Sequence, residues 1–81
     1  MNAEIVKELD KILPVVVRVH AEHHPELKQV GELYTALKAT PTVGIARQLH
    51  TVTNGFTVPA DACPTFRKAY QDLAALVQEI L

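Results

Sequence analysis

Thr53-Asn54-Gly55-Phe56-Thr57-Val58-Pro59-Ala60-Asp61-Ala62-Cys63-Pro64, with the run that follows it to Leu81, decides the fold of this chain. It contains a helix stop, a short extended crossing and a helix restart. Asn54 and Gly55 both tolerate the left-handed backbone that closes a helix. Phe56 to Val58 is expected to be extended, and Pro59 and Pro64 both suit the approach to, or first turn of, a new helix. Beyond them Ala62, Phe66, Ala69, Tyr70, Leu73, Leu76, Val77 and Ile80 recur at spacings of three and four. That is the cleanest amphipathic pattern in the sequence, and it marks the central packing helix.

The same period governs the chain upstream. Ile5, Leu9, Ile12, Leu13, Val16, Val19 and His20 outline a first helix from Ala3 to about Glu22. Pro14 sits in its middle, where it removes a backbone donor and crowds the carbonyl four residues earlier. A kink is expected there, or two short helices over 3–13 and 14–22. His24 precedes Pro25 and so leaves the helical region. Pro25 suits the first position of a second helix running to about Lys38, with Leu27, Val30, Leu33, Tyr34 and Leu37 on one stripe. Gly31 within it marks a close helix crossing. Thr40 as cap and Pro41 at the first position start a third helix, which turns Ile45, Ala46, Leu49 and Val52 inward. The expected fold is all-α, a small antiparallel bundle of three to four helices with the first kinked at Pro14. All of 1–81 forms one domain.

Composition narrows the function classes. Of the 81 residues 48% are hydrophobic, ample for a core, and only 5% are aromatic with no Trp, so an aliphatic core is expected. Eight basic against nine acidic residues leave a net charge of −1, with no basic patch to hold nucleic acid. One cysteine excludes an internal disulfide and suits a reducing cytoplasm. The apolar run from Ile12 to Val19 is interrupted by Pro14 and Arg18 and is too short to span a membrane. No glycine-rich phosphate loop occurs, and serine is absent.

His20, His23 and His24 are the candidate metal ligands. His20 and His24 have the i, i+4 spacing that puts two ligands on one helical face, although Pro25 draws His24 off the helix. The competing role is a polar helix end, where cationic histidines sit well. His20 lies on the apolar stripe and is expected to be buried. His50 stands alone. Cys63, at the helix start, is expected to pack as a small residue, with redox chemistry as the alternative. No cysteine–histidine catalytic set follows from spacing alone.

Val52 to Phe66, with Tyr70 and Leu73 beyond, resembles the RIC family, the iron–sulfur cluster repair di-iron proteins with a hemerythrin-like four-helix bundle. The shared pattern is T-N-x-x-T-x-P-x-x-A-C-x-T-[WF]. Val19 to Leu27 is similar to the family segment V-H-[GA]-x-x-H-P-E-L. In that family histidines from several helices and glutamates from H-x-x-x-E pairs hold two irons. This chain departs from the pattern. Four residues after His20, His23, His24 and His50 stand His24, Leu27, Lys28 and Asn54, none of them glutamate. The family's H-x-x-K-E-E and H-I-x-L-E-N-N segments have no counterpart. The resemblance therefore implies a short, ligand-depleted relative in which His20 alone carries over near the iron site. Three expectations follow: a non-enzymatic accessory module acting on a protein partner, a metal protein binding iron or zinc through histidines shared across a homodimer, or a plain interaction domain.

Overall fold

The computed structural model describes all 81 residues and contains four helices and no strand: α1 (Ala3–His20), α2 (Glu26–Ala39), α3 (Val43–Val52) and α4 (Pro64–Ile80). α1 neighbours α2 and α4, and α3 neighbours the same two, so the helices form a four-cornered bundle with α1 and α3 diagonally opposed. The Asn2 amide meets Glu79 at one end of the bundle and His20 meets Cys63 at the other, which makes α1 and α4 antiparallel. Tyr34 and Lys38, late in α2, reach Asp10 in the first half of α1, so these two are antiparallel as well. No helix is long and apolar enough to cross a membrane.

α1 begins where Asn2 accepts the amides of Glu4 and Ile5 on its side-chain oxygen, at 3.0 and 3.1 Å. It then runs unbroken past Pro14 to His20, so the expected division into two helices does not occur, and the expected kink is not confirmed. Proline inside a helix costs about 3 kcal/mol or more. The face around it accounts for its tolerance: Leu9, Leu13 and Val16 are buried on one side, while Pro14 points outward. Both halves of the helix are therefore held to the core across the missing hydrogen bond.

α2 starts at Glu26, one residue later than expected, with Pro25 in helical dihedrals just before it. Gly31 faces α1, where an added methyl would stand 3.6 Å from Val17 Cγ2. α3 is capped by Thr42, whose hydroxyl accepts the Ile45 amide at 3.2 Å. Thr40 was the expected cap, but it ends α2 by donating its own amide to Ala36 at 2.9 Å, which leaves the next threonine to open α3.

The core joins the inward faces of all four helices. Fully buried residues include Leu9 from α1, Leu27, Val30 and Leu37 from α2, Leu49 from α3, and Phe66, Leu73 and Leu76 from α4. The core is not purely aliphatic. Tyr70 and Phe66 are its largest fully buried side chains, and they stand edge to face at 4.9 Å. Val19, assigned to the core face by its spacing, is 61% exposed on the outer side of α1, with Val15 (41%) beside it.

Candidate functional site

The segment 53–63 carries the chain from the end of α3 to the start of α4, and it sets the site. Asn54, Gly55 and Phe56 all have positive φ, at 52°, 68° and 60°. Glycine and asparagine adopt that region readily; phenylalanine is strained there. Phe56 is held by an amide donated to Thr53 Oγ1 at 3.0 Å and by edge contacts of its ring with Tyr70 and His50. The triple left-handed turn sends the chain across the bundle and delivers Asp61 and Cys63 to the C-terminal end of α1.

There the histidines find their partners. His20 Nε2 lies 3.3 Å from Cys63 Sγ. Cys63 is the N-cap of α4, and its sulfur accepts the Phe66 amide at 3.4 Å. With the sulfur accepting from Phe66, the thiol proton is free to be donated to His20 Nε2, which requires the imidazole proton on Nδ1. Nothing hydrogen-bonds to Nδ1 to orient the ring. Phe66 orients it instead, edge to face at 5.0 Å, and it makes the same contact with His24 at 5.5 Å. His20 is half-buried, not buried as expected.

His24 is clamped between two carboxylates. Its Nε2 stands 3.0 Å from both oxygens of Asp61, and its Nδ1 3.4 Å from Glu26 Oε2. The hydrogen bond to Asp61 raises its pKa above the ordinary 6.5, partial burial opposes that rise, and the charges of Asp61 and Glu26 add to it. Asp61 is correspondingly lowered, chiefly by its bond to His24. His23 is exposed in the turn, and His50 is exposed beside Phe56.

His20, His23 and His24 thus face three different surroundings. No group of three or more His, Cys, Asp or Glu side chains is placed to hold one metal ion within the chain. The donor set does not fit a di-iron centre, which needs bridging carboxylates and several imidazoles on one interior face. What the site does assemble is one imidazole beside one thiol, a pair of donors suited to soft and borderline metals. Sequence spacing missed Cys63 and Asp61 as partners, since they lie 43 and 37 residues from the histidines they meet. A cysteine N-cap also lies outside the usual Ser, Thr, Asp and Asn signal.

Comparison of the chain with family models, curated proteins and solved structures returned no match.

Proposed function

We propose that this chain is a small helical module of the RIC-like type, without a complete di-iron site, that acts in the cytoplasm as an accessory through protein contact and not as an enzyme. The observation that carries this is the meeting of the two segments that bear the resemblance. Val19–Leu27 and Val52–Phe66 are distant in sequence, yet His20 with Cys63 and His24 with Asp61 join them at one end of the bundle, with both histidine rings against the buried Phe66. A surface built from those residues is where a partner from iron–sulfur repair would be recognised. The test is a titration of isotope-labelled chain with a RIC-family di-iron protein, followed by amide chemical shifts. Perturbations centred on residues 19–27 and 57–66 are expected. Their absence, or their confinement to another face, removes the proposal.

A second reading has its own observation. The 3.3 Å between His20 Nε2 and Cys63 Sγ is close to the separation of two neighbouring corners of a tetrahedral zinc site, about 3.5 Å for ordinary bond lengths. A second copy across a two-fold axis would supply the other two corners. Metal content and solution mass, measured on the same untagged sample, test it. One metal per dimer is expected, lost in both His20→Ala and Cys63→Ser. A metal-free protein, or a metal retained in both variants, discards it.

A further inference from the structure

Pro14 in α1 and Gly31 in α2 are poorly suited to helix interiors, and both line one groove of about 530 Å³ between these helices. That volume is within the range of small-molecule sites. Gly31 projects no side chain into the groove, and an added methyl there would stand 3.6 Å from Val17 Cγ2. Leu13, Pro14 and Val17 give the α1 wall an apolar surface. Because proline has no N–H, the Asp10 carbonyl four residues earlier lacks its helical donor.

The charges at the groove are unequal at its two ends. Asp10 and Lys38 pair at 2.7 Å, and Tyr34 donates to the same carboxylate oxygen at 2.8 Å, so that end is neutralised. At the other end, next to Val17 and Gly31, stands Arg18, which takes part in none of the ion pairs of the molecule. The groove therefore offers an apolar body and one unmatched guanidinium, whose planar fork fits a carboxylate.

We propose that this groove binds a small monocarboxylic acid, with its carboxylate on Arg18 and its acyl or aryl body over Leu13, Pro14, Val17 and Gly31. The inference is independent of the histidine–cysteine junction, which lies elsewhere on the bundle. Two helix-disfavouring residues lining one groove are the kind of local violation that functional sites retain.

The experiment is an amide chemical-shift titration of the intact chain with hexanoate and with phenylacetate, using 1-hexanol as the uncharged control. Saturable shifts confined to residues 10–18 and 31–38 are expected, with hexanol about tenfold weaker or more. Arg18→Gln changes an exposed side chain, so the fold stays intact while carboxylate affinity falls by about tenfold. Gly31→Leu, if folded by circular dichroism, abolishes binding; if it does not fold, Arg18→Gln alone decides. The proposal is overturned by the absence of saturable shifts, by shifts centred on other residues, by equal affinity for hexanol and hexanoate, or by an Arg18→Gln variant that binds as the parent does. Absence of binding would leave the groove as a seat for an apolar side chain of a protein partner.

Discussion

Cys63 has two duties that one substitution can separate. It caps α4 through the Phe66 amide and it pairs with His20. Serine is the better cap and alanine provides none, so Cys63→Ser should match or exceed the parent in urea unfolding, while Cys63→Ala should lose about 1 kcal/mol. Equal losses in both would mean that packing of the sulfur matters and capping does not. His24 gives a pH-dependent contribution of known sign. Its folded pKa is raised, so its stabilisation is complete below the unfolded value of 6.5 and is lost as pH rises through the folded one. Asp61 is lowered, so its part is present above 3.8 and is lost as pH falls through its folded value. The pair therefore stabilises most between those two ordinary values. Native protein should lose stability relative to His24→Gln as the pH moves from mildly acidic to alkaline; parallel urea midpoints for the two across that range would refute the assignment. The position of Cys63 at a helix start was legible in the sequence, but these pairings were not. The sequence showed three clustered histidines, but their partners approach from a segment whose path depends on three consecutive positive φ values.

Among the helices, local rules and packing disagree in two places. α1 contains Pro14 and continues through it, because Leu9, Leu13 and Val16 fix both halves to the same core. α2 contains Gly31, whose absent side chain costs about 1 kcal/mol relative to alanine. A methyl there meets Val17 at ordinary contact distance, so Gly31→Ala should raise stability by about 0.5–1 kcal/mol, read from the urea midpoint. A loss would show that the α1–α2 crossing is tighter than 3.6 Å allows. α4 was the most legible element, since nearly every position on its apolar stripe is buried. The exception is instructive. Asp72 is only 5% exposed, and one of its carboxylate oxygens has no partner, while the other accepts from Lys68 at 2.6 Å. The apolar period does not include Asp72; Asn2, Glu4, Ile5 and Glu8, at the start of α1, line the same pocket as Asp72 and Lys68.

The bundle as a whole depends on few residues. Fifteen buried hydrophobic side chains form its core, and a domain of this size has a stability of only about 5 kcal/mol to draw on. Leu73 is fully buried at the middle of α4, so Leu73→Ala should remove about 3 kcal/mol and leave a protein partly unfolded at 37 °C, seen as loss of helical circular dichroism. Retention of the parent's melting curve would mean that the core collapses around the gap. The sequence by itself determined the all-α class, the approximate extents of four helices and most of the buried faces. Those follow from the spacing of apolar residues, and spacing is a local property that a single chain carries in full. Tertiary structure alone decided that Cys63 reaches His20, that Asp61 reaches His24, and that Pro14 and Gly31 share a groove. Contacts between residues so far apart depend on the route of the connecting segments and on which helices become neighbours. Both are settled by the packing of the whole core, which no local pattern records.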